Sequence, residues 1–152
     1  MKRIADRSSD DALKLEEQLC FPIYAAANAT VRLYRPLLDP LGLTYLQYLV
    51  MLILWEHAPV SVGEIGRLLV LDSGTLTPLL KRLEANGLVS RRRDSDDERR
   101  VLIGLTAEGL EMREKVKTIP NDVLQCTQFS EKDTEELISA VFTLRRLFLA
   151  NR

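Results

Sequence analysis

Two sets of residues in this 152-residue chain carry side chains capable of more than packing. The first is a pair of thiols, Cys20 and Cys126, far apart in sequence. No CxxC occurs and the one histidine, His57, stands alone as a helix-end polar residue, so ligand count excludes a zinc finger and no metal site is expected. A permanent disulfide is not expected in a cytosolic protein. The thiols are therefore either inert core residues or redox-active ones. The second set lies in Leu71–Arg93, LDSGTLTPLLKRLEANGLVSRRR. Ser73, Thr75, Thr77, Lys81 and Arg82 are hydroxyls and cations, the side chains that bond phosphates and base edges. Pro78 shares their side of the segment.

A helix must present that second set. Leu76, Leu79, Leu80 and Leu83 recur at helical spacing and form a buried stripe, with the polar set opposite. Asp72 or Ser73 can cap the N-terminus, and Asn86-Gly87 stops the helix. Upstream, Ser61 opens a shorter helix, Val62 to Val70, with Glu64 completing a capping box. Two capped helices joined by a short turn read as a helix-turn-helix, the second being the recognition helix. Leu88 to Arg93 and Arg100 to Leu105 read as two short strands around the polar tip DSDDE, with Val101, Ile103 and Leu105 turned inward. Together they form a wing.

The formal net charge is −1, so bulk charge gives no pull toward nucleic acid and local charge must carry that reading. Seven cations fall between Lys81 and Arg100, diluted by five acids. The acids bunch between the arginines, which suits a wing held by ion pairs. Arg99 at the tip, held by Asp97, is placed to reach a minor groove. The run Arg91 to Arg93 can also be read as a solvated face, and Asp94 to Glu98 as a plain loop.

The first thiol belongs to a mostly helical stretch from Ala12 to Leu41, where Leu13, Leu15, Leu19, Ile23, Ala27, Val31, Tyr34 and Leu38 keep roughly helical spacing. Pro22 either bends this rod or starts a fresh helix, which puts Cys20 at or just before a helix N-terminus. Pro36 interrupts it again. Thr44 caps a helix from Tyr45 to His57 that is apolar almost all round and therefore central. Thr106 with Gly109 opens a long helix from Ala107 to about Phe129, bent at Pro120 and carrying Cys126. Ser130 and Asp133 open the last helix, with Leu137, Val141, Leu144, Leu147 and Phe148 on one stripe. These terminal stripes exceed what one lobe needs, so a homodimer built from the two ends of the chain is expected. At 46% hydrophobic residues the chain can bury a core as one domain. No apolar run is long enough to span a bilayer, so no membrane partner is expected. The N-terminal MKRIADRSSDD reads as a frayed cytoplasmic tail.

The order helix, helix, helix-turn-helix, wing, two long helices resembles the MarR-type winged-helix transcriptional regulators over nearly the whole chain. The segment DSDDERRVLIGLTAEG is similar to that family's acidic-then-arginine wing signature. More narrowly, LEEQLCFPIYAAANATVRLYRPLL, followed by LTYLQYLVMLILWEH and LDSGTLTPLLKRLE, resembles the organic-hydroperoxide-sensing repressors (OhrR) of two-cysteine type. The resemblance implies a mainly α fold, a single MarR-type domain over 1–152. Residues 12–42 and 107–152 would be dimerisation helices, 44–105 the winged helix-turn-helix and 88–105 its wing. It implies a homodimeric repressor on a palindromic operator, an organic hydroperoxide as inducer, no cofactor and no enzymatic activity.

A peroxide-sensing cysteine must react as a thiolate, against a free value of about 8.5. It also needs hydrogen-bond donors and an apolar rim, both of which tyrosine supplies. Tyr24 lies one turn from Cys20. Tyr34 lies on nearly the same face but roughly 21 Å along a continuous helix. If both share one site, Tyr34 comes from a second subunit. The resemblance implies that Tyr34 and Tyr45 bond the partner subunit's Cys20. It also gives Cys20 the peroxidatic role and Cys126, from the other subunit, the resolving one. A MarR-type regulator released by a small phenolic or drug-like ligand fits the same pattern, with Cys20 merely buried. A thiol peroxidase fits poorly, since no resolving CxxC and no catalytic histidine or arginine accompany Cys20.

Overall fold

The computed structural model describes residues 11–18, 20–127 and 129–150. The expected N-terminal tail up to Asp10, and Leu19 of the expected first stripe, lie outside the described residues. Among the described residues, seven α-helices and three short strands follow in the order α1 (Phe21–Leu38), α2 (Tyr45–His57), β1 (Val60–Ser61), α3 (Val62–Leu69), α4 (Ser73–Ala85), β2 (Val89–Arg93), β3 (Val101–Leu105), α5 (Ala107–Val116), α6 (Ile119–Thr127) and α7 (Glu131–Leu149). Among the described residues no single helix is long and apolar enough to cross a membrane.

The chain divides into two compact units, one ending at Lys115 and one starting at Val116. In the first, α3 and α4 form the helix-turn-helix and the strands form an antiparallel sheet in the order β1-β3-β2. Val89 pairs with Leu105 and Arg93 with Val101, which makes the hairpin of the wing. The two-residue β1, Val60 against Ile103, is an addition the alternation rule could not detect. The core is aliphatic: Val50, Met51, Leu54, Ile65, Leu80, Leu83 and Ile103 are all essentially sealed from solvent.

Local chemistry explains most boundaries. A reciprocal cap opens α2: Thr44 Oγ1 accepts from the Gln47 N–H at 3.3 Å, and Gln47 Oε1 accepts from the Thr44 N–H at 2.8 Å. This helix buries Tyr48, Val50, Met51 and Leu54 but leaves Leu46 and Leu52 38% and 41% exposed, so its apolar perimeter is covered only in part. Ser61 Oγ accepts from the Glu64 N–H at 3.2 Å. The expected capping box is only half made, because the Glu64 carboxylate turns to the Arg67 guanidinium instead (Nε to Oε2, 2.8 Å). Helix α3 ends on Val70 in the left-handed region at φ 56°, an uncommon place for a β-branched residue. Leu71 N–H then returns to the Gly66 carbonyl at 2.9 Å.

Two expectations about helices are corrected. Pro36 does not interrupt the first helix: short 3-10 turns at Asp11–Leu13 and Leu15–Glu17 precede α1, which starts at Phe21 and runs through Pro36 to Leu38. The helix after the wing is broken rather than bent, with α5 ending at Val116 and α6 beginning at Ile119. Pro120 is the second residue of α6, where its missing N–H costs no hydrogen bond. Thr106 starts α5 as expected: its Oγ1 accepts from the Gly109 N–H at 3.0 Å.

The second unit comprises α6 and α7. Ser130 and Asp133 cap α7 reciprocally. Leu124, Leu137, Ile138, Val141, Phe142, Leu147 and Phe148 are all about half exposed or more. Exposed apolar area on this scale marks an association surface rather than a finished exterior.

Candidate nucleic-acid interface and thiol site

The helix α4 is set by its N-cap. Asp72, not Ser73, caps it: Oδ1 accepts from the Thr75 N–H at 2.8 Å and Oδ2 from the Thr75 hydroxyl at 3.2 Å. Those bonds hold the Asp72 carboxyl below the usual carboxylate value of 3.8. Leu76, Leu79, Leu80 and Leu83 are buried as the spacing requires. Ser73, Thr75, Pro78, Lys81 and Arg82 are exposed and Thr77 is half-buried, so the predicted polar set shares the solvent side of one helix. Asn86 ends the helix, and Gly87 follows at φ 74°.

The wing is an ion-paired hairpin. Arg99 lies at its tip with its side chain 91% exposed, and its Nε reaches Asp97 Oδ1 at 3.1 Å. The Arg99 guanidinium and backbone N–H keep the Asp97 carboxyl low. Arg100 pairs with Asp94 at 3.6 Å, and Arg93 donates to the Glu98 carbonyl at 3.2 Å. The backbone closes the turn, with Arg100 N–H donating to the Asp97 carbonyl at 2.8 Å. At the base, Arg91 Nη1 stands 3.8 Å from Glu84 Oε2 of α4, an interhelix-to-wing contact the sequence did not suggest.

Cys20 occupies the N-cap of α1, with its carbonyl accepting from the Tyr24 N–H at 3.0 Å and Pro22 in the first turn. Of the two sequence alternatives, Pro22 thus starts a helix rather than kinking one. Cys126 lies in the last turn of α6. Both thiols are free and exposed.

Tyr34 and Tyr45 are brought together, with ring centroids 4.7 Å apart and planes tilted by 45°. The buried Tyr48 ring completes the cluster at 5.9 Å from Tyr34. Tyr48 was missed, although its place three residues after Tyr45 puts both on one helix face. Burial raises all three phenols above 10.0, and mutual repulsion of the phenolates adds to this for Tyr45 and Tyr48. Among the described residues none hydrogen-bonds these hydroxyls. Tyr24 is not part of the cluster. It is 68% exposed and lines an open groove of about 510 Å³ on α1 with Phe21, Asn28 and Arg32. Cys20 and Tyr34 sit at opposite ends of one helix, about 21 Å of rise apart. Among the described residues no cluster of metal ligands occurs.

The family described as "Transcriptional regulator SarA/Rot" matches residues 32–119. The organic hydroperoxide resistance transcriptional regulator of Bacillus subtilis is 49% identical over 88% of this chain and 91% of its own length. AbfR of Staphylococcus epidermidis, solved in an overoxidised form bound to DNA, superposes with a TM-score of 0.72 at 36% identity, covering 93% of this chain and 99% of AbfR. A disulfide-formed AbfR superposes at 0.58 and 38% identity, covering 89% and 95%. These are regulators and not enzymes, and their shared fold is the helix-turn-helix and paired hairpin described above. The chain belongs to the SarA/Rot family of MarR-type winged-helix transcriptional regulators.

Proposed function

We propose that this chain is a cytoplasmic, homodimeric repressor that reads a palindromic operator and leaves it when an organic hydroperoxide oxidises Cys20. The single domain spans 1–152, with 12–42 and 107–152 forming the dimer contact. The reading rests above all on Tyr34 and Tyr45 standing ring to ring with hydroxyls unused by any described residue, while the exposed Cys20 stands at the far end of the helix that carries Tyr34. Two antiparallel copies of α1 across a two-fold axis would bring each tyrosine pair to the partner subunit's Cys20. The half-exposed apolar side chains of α7 supply the area such a dimer must bury.

The chemistry is two balanced steps. The Cys20 thiolate attacks the terminal peroxide oxygen, the O–O bond breaks, sulfur becomes a sulfenic acid, and the alkoxide that leaves takes a proton from solvent to become the alcohol. The Cys126 thiol of the other subunit then displaces the sulfenic hydroxyl, releasing water and forming the disulfide. The phenolic O–H groups donate to the developing oxyanions. Output passes through Ser73, Thr75, Thr77, Pro78, Lys81 and Arg82 in a major groove, and through Arg99 braced by Asp97 in a minor groove. A known disulfide form of AbfR supports the two-thiol step for this chain.

A second reading, release by a small phenolic compound, draws on one feature. A groove of about 220 Å³ beside α4 is lined by Leu46, Pro78 and Leu79 with Arg82 at its edge. Gel shifts separate the two. Cumene hydroperoxide should release operator DNA from the unsubstituted protein, dithiothreitol should restore binding, and Cys20→Ser should stay bound. Release of Cys20→Ser by the peroxide would sink the sensor reading, and release by salicylate alone would favour the second.

A further inference from the structure

We propose that Arg92 is an additional phosphate-contacting residue, binding the DNA backbone beside the groove that the wing enters. The wing carries five arginines, and four have an acceptor inside the protein. Arg91 faces Glu84, Arg93 donates to the Glu98 carbonyl, Arg99 forks onto Asp97 and Arg100 pairs with Asp94. Arg92 is exposed and, among the described residues, has no ion pair or hydrogen bond.

The register explains why. Successive strand residues face opposite sides, so Val89, Arg91 and Arg93 share the inner face, and Ser90 and Arg92 the outer one. Across the sheet Arg92 meets Leu102, with Gly104 and Arg100 as its diagonal neighbours. None of these offers an acceptor, and Arg100 repels it. A charge-paired strand that leaves one guanidinium fork free, on the outside of an element built to meet DNA, presents a planar donor pair matched to a phosphate. The contact carries no sequence information, because a phosphate is the same on every base.

This inference rests on the DNA-binding reading of the wing, and one experiment separates their fates. Fluorescence anisotropy is followed against salt concentration on two labelled duplexes, one recovered by selection and one of random sequence. Each phosphate contact adds about 0.9 to the slope of log affinity on log salt. A dimer with two wings should therefore lose about 1.8 of slope in Arg92→Gln, equally on both duplexes, while Arg92→Lys keeps it. An unchanged slope with intact binding overturns the role of Arg92 alone. So does a loss confined to the selected duplex, which would mark a base-reading residue. Failure of the unsubstituted protein to bind either duplex overturns the DNA-binding reading and this inference with it.

Discussion

Arg99 and Asp97 form a two-pronged pair at the wing tip, Nε to Oδ1 at 3.1 Å and Nη2 to Oδ2 at 3.4 Å, while the Arg99 backbone N–H also donates to Oδ1. Such a surface pair adds little to folding. Its value lies in fixing a long side chain before DNA arrives, since ordering one such side chain on binding costs about 0.5–1.5 kcal/mol. Asp97→Ala should therefore weaken operator binding about 2- to 10-fold, although it removes a negative charge from a DNA-facing surface. The melting temperature should hold. Tighter binding in anisotropy would show that Asp97 only repels phosphate.

The tyrosine cluster separates packing from chemistry. Tyr34→Phe and Tyr45→Phe keep both rings and remove only hydroxyls that no described residue uses, so stability should change by less than about 0.5 kcal/mol. The rate of operator release by cumene hydroperoxide should fall in each. The pH dependence follows from burial, which disfavours the phenolates of Tyr34, Tyr45 and Tyr48. Their folded values lie above the unfolded 10.0, so this contribution is fully present below pH 10 and is lost as pH rises through the folded values. Thermal melts from neutral to strongly alkaline pH should drop above about pH 10, and less steeply in the triple phenylalanine variant.

How much of this was legible in the sequence depends on the range of the forces involved. Caps, stops and stripes are local, so Thr44, Asn86-Gly87, Thr106-Gly109, Ser130-Asp133 and the buried face of α4 could be read from neighbouring residues. The resemblance extended that to the fold class. What escaped was set by contacts distant in sequence or by competition for a partner. Arg67 takes the Glu64 carboxylate and so leaves the capping box half made. β1 exists only because β3 lies beside it. The pairing of Arg91 with Glu84, and the idleness of Arg92, depend on strand register, which composition does not fix. Proline was ambiguous for a related reason. Pro22 and Pro120 sit in first turns, whereas Pro36 and Pro78 lie inside helices that tolerate them, and type alone does not tell these apart.

Gly109 is where the start of α5 crosses the chain leaving α4. A Cβ there would stand 2.0 Å from the Leu88 carbonyl oxygen, a backbone atom that cannot swing aside. The Gly109 carbonyl meanwhile accepts from the Trp55 indole N–H at 2.8 Å, tying α5 to α2. Gly109→Ala should cost about 3 kcal/mol or more in urea unfolding. Trp55→Phe, which loses that bond, should cost about 1–3 kcal/mol. A near-neutral Gly109→Ala would mean that α5 can slide away from Leu88 without loss.

Asp72 offers the sharpest acid-side test, because one carboxylate holds the first turn of the reading helix. The Thr75 N–H and hydroxyl keep its carboxyl below 3.8, so the cap's contribution is complete above that value and is lost as pH falls through the folded one. Asp72→Ala should lower the melting temperature at pH 7, and the gap to the unsubstituted protein should close as pH falls below about 4. Asp72→Ser, with another good capping oxygen, should recover most of the loss at neutral pH and show none of the acid dependence. Operator affinity should follow the same order, since Ser73 and Thr75 lie in the turn that the cap fixes. Equal behaviour of the alanine and serine variants would place the origin of α4 stability in its leucine stripe alone.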